Sequence, residues 1–369
     1  MPKNAVCGPT ESPHRGPQIK NASSSISAII VNYCTKDLLR DCLVSLGESR
    51  VSGLEVIVVD NHSTDGSAEK VRGEFPDVRV IENSENLGFS RANNQGIKEA
   101  RGKYILLLNS DTIVRPGAVP AMAGFMDGHP KAGGVACRLL NADGSIQPSV
   151  GRRLGAGPGI LRLMVRISGL AGLLHSERVR RFLGRYLSFA LGPALRSYLD
   201  PYVIGDSAME VDSISGACLM LRRAAIDQAG LLDENFFMYL EDLDYCIRLR
   251  AAGWKLYYVP TGEIVHLVGK SSGGRMRRYS VHAYESLFYF YSKHYSAWAL
   301  FLARLLVFSA MCPRWLWNFA RSSLFHSAIH RQNYMDLEKV IRLCLQWHAP
   351  QVHLRRRESL PAEPINRVN

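Results

Sequence analysis

The eight cysteines contain no C-x-x-C pair and lie scattered between Cys7 and Cys344, several of them inside apolar runs. Stability should therefore need no disulfide staples, and reduced thiols packed as small hydrophobes fit a reducing cytoplasm. The first 25 residues lack an apolar segment; with four prolines and several Ser and Asn they read as a flexible tail, not a signal peptide, so export is not expected. Nor is there an uninterrupted apolar run of the roughly 20 residues that a spanning helix needs. Ala297 to Cys312 is almost wholly apolar, but Arg304 interrupts it and Arg314 follows Pro313, which favours an interfacial or core helix. There is no internal repeat. A Walker loop is excluded because Ile264 stands five residues before Gly269-Lys270-Ser271 where glycine is required, and Gly155 to Gly159 is no dinucleotide fingerprint because it follows no strand and holds Pro158. Acid is scarce relative to base. The net charge is +12, with the excess in Arg152-Arg153, Arg178 to Arg185, Arg275 to Arg278 and Arg355 to Arg357, a surface that attracts phosphates.

What is present is a regular alternation. Ile26 to Val31, Leu54 to Val59, Val78 to Ile81 and Tyr104 to Leu108 are apolar runs of strand length, the first two β-branched and ending in polar loops. Helical segments lie between them, over Asp37 to Leu46, Ser67 to Glu74 and Phe89 to Ala100. The 369 residues are enough for one large α/β domain with an extension, and fully apolar strands imply a parallel sheet covered on both faces. Ligands bind such sheets at the carboxyl ends of the strands. Asn32-Tyr33, Asp60 to Asp65 and Asn109 to Thr112 stand there, so one crevice can collect all three. A second block, Val211 to Pro260, reads as strand, helix, acidic loop, helix over Asp244 to Ala252, and strand, with Gly253 as the helix stop. The expected organisation is a tail over 1–25, a domain over 26–294 with a basic helical insertion at about 151–206, a helical extension suited to a membrane surface over 295–350, and a basic tail over 351–369.

Asp111 directly follows an apolar strand, which aims a carboxylate into the crevice, and a hard divalent cation bridging a diphosphate needs such a ligand; a turn or capping aspartate is the other reading. Asp60 suits a ribose or base edge, whereas Asp65 with Ser67 suits helix capping and His62 a solvated loop. Arg91 opens a helix, where a cation opposes the dipole unless an anion holds it; an ordinary surface arginine is the alternative. Glu241-Asp242-Leu243-Asp244 follows the aromatic run Phe236 to Leu240. Desolvation and neighbouring charge raise carboxylate pKa values, which makes Glu241 or Asp242 a candidate general base, while Asp244 suits an i,i+4 pair with Arg248. His266 can offer an imidazole to a metal, although a lone histidine on an apolar stretch is usually a satisfied core residue.

The ordered set I-I-V-N-Y (29–33), V-V-D-N-H-S-T-D-G-S (58–67), N-L-G-F-S-R-A-N-N-Q-G (86–96), L-L-L-N-S-D-T (106–112), S-G-A-C-L-M-L-R (215–222), F-F-M-Y-L-E-D-L-D-Y-C-I-R-L (236–249) and a late His266 followed by G-K-S-S resembles glycosyltransferase family 2, most closely its rhamnosyltransferase-like bacterial members. The likeness runs from about Ser27 to His294. It implies a GT-A fold, a mostly parallel nucleotide-binding sheet flanked by helices, and an inverting enzyme dependent on Mg²⁺ or Mn²⁺. By the resemblance Asn32, Tyr33 and Asp60 hold the base and ribose, Arg91 and Asn94 line the donor pocket, Asn61, Asn109 and Ser110 also belong to the donor site, and Asn109-Ser110-Asp111 is a D-x-D-like motif. Asp111 and His266 are then the metal ligands, Asp242 the base beside Glu241, and Gly216-Ala217 the wall beneath the sugar. The implied partners are a nucleotide-sugar donor, with dTDP-rhamnose leading, a glycan or polyprenyl-linked acceptor and a peripheral membrane surface at the cytoplasmic face, with no nucleic acid. A catalytically silent glycan-binding relative is a second reading, against which Asp60, Asp111, Asp242 and His266 stand together. A nucleotidyltransferase is a third, against which stands the missing early Gly-rich triphosphate loop.

Overall fold

A computed structural model describes residues 26–49, 51–151, 205–267, 281–325 and 328–346. The two tails, the four Arg-rich stretches, nearly all of the basic insertion and the Gly269-Lys270-Ser271 run lie outside them. The described residues divide between two compact units.

In the first unit β1 (Ile26–Asn32), β2 (Leu54–Asp60), β3 (Arg79–Glu82) and β4 (Tyr104–Asn109) pair in parallel in the order β3-β2-β1-β4. Between them run α1 (Lys36–Glu48), α2 (Ser67–Glu74) and α3 (Gly88–Glu99), so the four strands and three helices expected from the sequence are present to within two residues at either end. Side chains alternate across the sheet. Ala28, Ile30, Val56, Val58 and Leu106 pack with α1, α2 and α4 (Ala118–Gly128), whereas Ile29, Ile57, Val59, Ile105 and Leu107 pack with α3, α5 (Arg223–Ala229) and α6 (Glu241–Ala251). Strands buried on both faces must be apolar throughout, which is why these runs lack the alternation of a half-exposed sheet.

Past β4 the sheet becomes mixed. β11 (Cys218–Arg222) lies antiparallel between β4 and β6 (Ala132–Leu140), and β12 (Lys255–His266) runs parallel to β6 and antiparallel to β5 (Thr112–Val114) and β9 (Met209–Val211). β7 (Ile146–Gln147) pairs with the end of β6, and β8 (Val150–Gly151) forms a separate ribbon with β10 (Ser213–Ile214). Two boundaries differ from expectation. β12 continues past Pro260 to His266, because residues 260–262 stand out of the β6 pairing between Val259 and Glu263, and a bulge tolerates a proline that has no N–H to offer. α6 starts at Glu241, three residues earlier than expected, since carboxylates in a first turn complement the helix dipole.

Asp65 has the capping role. Its carboxylate accepts the N–H of Lys36 at 2.8 Å and of Ser67 at 3.1 Å, the first residues of α1 and α2. Burial opposes its ionisation, but these donors and the Ser67 hydroxyl outweigh it and hold the carboxyl below its ordinary range. The seven cysteines among the described residues are free thiols, five of them buried.

The second unit comprises 234–240 with α7 (Val281–His294), α8 (Ala297–Phe325) and α9 (Ala328–Leu345). α8 carries Pro313 internally and is long and apolar enough to cross a membrane by length and composition, yet only 22% of its most apolar window is buried.

Gly96 of α3 lies so close to β1 that a Cβ there would overlap Ile29 Cγ2. Alanine gains about 1 kcal/mol over glycine in a helix, whereas overpacking costs about 1–3 kcal/mol. Because Ile29 is branched and fully buried, overpacking should win. Gly96→Ala is expected to lower the urea midpoint of unfolding; a raised midpoint would show that the contact has slack.

Candidate active site

The parallel register sets Asn32 opposite Asp60 and Val31 opposite Asn109, so the polar ends of β1, β2 and β4 fall level. A buried chain of hydrogen bonds joins them. Asn32 Nδ2 donates to Asp60 Oδ2 at 2.8 Å, Thr35 Oγ1 donates to Asn32 Oδ1 at 2.5 Å, and Thr35 Oγ1 lies 3.0 Å from Ser110 Oγ. Thr35 has one proton and gives it to Asn32, so Ser110 must donate to Thr35. Asp60 Oδ1 also accepts the N–H of Ser63 at 2.8 Å. Asp60 is thereby fixed in orientation, and a carboxylate with about four lone-pair positions keeps acceptor capacity for a further donor. Tyr33, beside it, is 48% exposed and presents its ring.

Asp111 and His266 are brought together by the antiparallel pairing of β5 with β12, in which His266 faces Thr112 and Leu267 N–H donates to Asp111 O at 2.9 Å. His266 Nε2 lies 3.3 Å from Asp111 Oδ1 and 3.4 Å from Asn109 Nδ2, and its Nδ1 lies 2.8 Å from Gln147 Oε1. Adjacent ligands of an octahedral ion with bonds of about 2.1 Å stand about 3 Å apart, so this oxygen and nitrogen fit one divalent cation. No group of three or more His, Cys, Asp or Glu side chains gathers among the described residues. A cation here would complete its shell with phosphate and water, the habit of Mg²⁺.

The antiparallel β11 brings its leading residues to the same edge: Asn109 N–H donates to Ala217 O at 3.0 Å, and Gly216 N–H donates to Asp242 Oδ2 at 3.0 Å. A Cβ on Gly216 would stand 3.3 Å from the Phe89 ring and 3.6 Å from Asp242 Cβ, so glycine keeps this wall thin. Burial raises the pKa of Asp242, opposed by the N–H groups of Gly216 and Leu243, which favour its anion. Glu241 precedes it on α6. Burial, with the neighbouring Asp242 charge adding to it, pushes its carboxyl to about 8, and its Oε2 has no hydrogen-bond partner among the described residues. Glu241 is thereby favoured in its protonated form near neutral pH. Asp244, fully buried, pairs with Arg248 at 2.9 Å, the i,i+4 role that its spacing suggested.

Other candidates are turned to main chain. Asn61 Nδ2 donates to Gly88 O at 3.0 Å while its Oδ1 accepts from Asn83 Nδ2 and Leu87 N, which ties down the 83–88 loop. Asn94 is bonded through both its amide groups to the backbone of Leu232, at 2.9 and 3.0 Å. Arg91 stands half-buried on the first turn of α3. Thr35 and Gln147 were not legible as site residues, since neither stands in a polar cluster at a strand end that the sequence marks.

The description "Glycosyl transferase family 2" matches residues 27–167, and "Glycosyl transferase family group 2" matches residues 196–335. An N-acetylglucosaminyl-diphospho-decaprenol L-rhamnosyltransferase of Mycobacterium tuberculosis is 29% identical over 288 residues, 74% of this chain and 86% of that protein. A poly-beta-1,6-N-acetyl-D-glucosamine synthase of Staphylococcus aureus is 26% identical over 68% of this chain and 51% of its own length. Among solved structures, a mannosyltransferase from Pyrobaculum calidifontis in complex with GDP-Man and Mn²⁺ aligns over 90% of both chains with 16% identity and a TM-score of 0.46.

The Glu241 carboxyl generates a pH test. Its folded-state pKa is raised from an ordinary 4.5 to about 8, so its contribution to stability is complete below about 4.5 and is lost as pH rises toward about 8. Glu241→Gln removes that loss. Its stability relative to the parent should therefore climb between about pH 5 and 8, by up to about 1.4 kcal/mol per pH unit. Urea unfolding across that range checks this, and a pH-independent difference would mean that Glu241 is ionised when folded.

Proposed function

The chain belongs to glycosyltransferase family 2, and from that premise we propose that it transfers a sugar with inversion from a nucleotide-sugar donor to a lipid-linked glycan acceptor. The observation that carries this reading is the convergence at one sheet edge of Asp60, the Asp111–His266 pair and the Gly216–Asp242 hydrogen bond. Asp60 and the exposed ring of Tyr33 take the ribose and base at the ends of β2 and β1. Asp111 and His266 would hold a divalent cation, which when bound would supply positive charge against that of the departing nucleoside diphosphate. Asp242, oriented by Gly216 N–H, removes the proton of the acceptor hydroxyl as that oxygen attacks the anomeric carbon and the bond to the diphosphate breaks. Glu241, protonated and buried, shapes the start of α6. Arg91 at the N-terminus of α3 faces the anionic donor.

The rhamnosyltransferase relative, named for a decaprenol-linked substrate, supports rhamnose as the leading donor sugar and a polyprenyl carrier for the acceptor. α8 supports work at a membrane surface. Trp298, Phe301, Leu302, Leu305, Leu316 and Phe319 are exposed and fall on one face, while Ala299, Ala303, Val307 and Met311 are buried on the opposite one. At 1.5 Å per residue the exposed stripe is about 30 Å long, and it suits a helix lying in the plane of the interface, with the chain's +12 charge adding attraction to anionic lipid.

Two experiments test these readings. Asp111→Ala should abolish cation-dependent donor binding, whereas Asp242→Asn should bind donor and cation normally but lose about 10²- to 10⁴-fold in transfer. Screening nucleotide sugars against both variants measures this, and unchanged cation dependence in Asp111→Ala or normal turnover in Asp242→Asn sinks the respective role. For the membrane, the chain should sediment with anionic liposomes and be loosened by salt. A Trp298→Ser, Phe301→Ser, Leu305→Ser triple variant should stay in the supernatant; equal sedimentation of the two proteins would refute the docking face.

A further inference from the structure

His266 offers a lone pair to a cation through Nε2 only if its proton sits on Nδ1, and the surrounding hydrogen bonds decide where that proton is. The turn joining β6 to β7 fixes their direction. Asp143 accepts from Ser145 N at 2.9 Å and from Ser145 Oγ at 2.6 Å, and those donors hold its carboxyl below the ordinary range. A carboxylate can only accept, so the Ser145 hydroxyl donates to it and must accept from its other neighbour, Asn141 Nδ2, at 2.9 Å. Asn141 Oδ1 is then the acceptor for Gln147 Nε2 at 2.9 Å. This leaves Gln147 Oε1 toward His266 Nδ1 at 2.8 Å, and an amide oxygen cannot donate. The reversed arrangement, with both amides flipped, would require the Ser145 proton to leave Asp143 and sacrifice a charge-assisted bond.

We propose that Gln147 is a positioning residue that locks His266 in the Nδ1–H tautomer, so that the Nε2 lone pair faces Asp111 and completes the protein's share of a cation site. The assignment of that site to a cation rests on the functional reading above; the tautomer does not. The relay starts at an exposed aspartate in a surface turn and ends at the sheet edge, so the polarity of an imidazole in the crevice is set from outside it.

The tautomer is read directly by long-range ¹H–¹⁵N NMR of the metal-free full chain labelled with ¹⁵N-histidine. The His266 signals are those missing from His266→Ala. The expected pattern is a protonated Nδ1 and a bare Nε2 in the parent chain and in Gln147→Glu, with loss of that preference in Gln147→Leu. A protonated Nε2 in the parent, or an unchanged pattern in Gln147→Leu, overturns the proposal. The second readout is binding of Mn²⁺ alone, followed by the electron spin resonance of the free ion. Gln147→Leu should bind about 10- to 100-fold more weakly than the parent, with Gln147→Glu restoring affinity and all three melting alike. Equal Mn²⁺ affinity in the parent and Gln147→Leu overturns the role toward the cation. Equal affinity in the parent and Asp111→Ala, together with the expected tautomer, overturns the cation reading itself while supporting the lock on His266.

Discussion

β1 is hydrogen-bonded in parallel to β2 on one side and to β4 on the other, and the register is unbroken along both ladders. Because side chains alternate with a period of two, a slip of one residue on either side would exchange the two faces of that strand, and both faces are buried under helices. Apolar packing therefore resists any slip. The polar residues just beyond the apolar runs inherit that rigidity, and the bonds from Asp60 through Asn32 and Thr35 to Ser110 form because three strand ends are held level.

Three carboxyls show how environment divides labour among similar groups. Asp65 meets the first N–H groups of two helices and stays ionised, a structural pin. Asp242 has main-chain N–H donors, from Gly216 and Leu243 among others, that moderate the effect of burial, as the proposed base role would need. Glu241, one residue away, is buried beside the Asp242 charge with its Oε2 unpartnered among the described residues, and burial pushes its carboxyl to about 8. Sequence proximity told nothing of this difference, which comes from burial, neighbouring charge and the N–H groups that reach each carboxyl.

Much of the first half of the fold was legible because apolar strands buried on both faces leave an unmistakable pattern, as in Leu54 to Val59 and Tyr104 to Leu108. β6 was not. Its Gly133-Gly134 and Arg138 break the pattern, and close packing explains the glycines, since a Cβ at Gly133 would stand 2.6 Å from Trp254 Cβ. The polar clusters at the ends of β1, β2 and β4 do fall level, yet residue type could not show which of them brace the fold: Asn32, Asn61 and Asn94 carry the same amide, and all three make bonds within it. Gln147 was silent because its meaning depends on a turn that sets the direction of a proton.

The irregularity at 260–262 divides β12 into a half that belongs to the core and a half that carries His266 to β5. Those residues are not loose, because Pro260 and Gly262 are buried and a Cβ at Gly262 would stand 2.8 Å from Ala118 Cα. The close approach of Gly262 to α4 therefore fixes where the strand re-enters its pairing, and with it the height at which the imidazole emerges. There the histidine meets its cross-strand partner Thr112, next to the aspartate it faces.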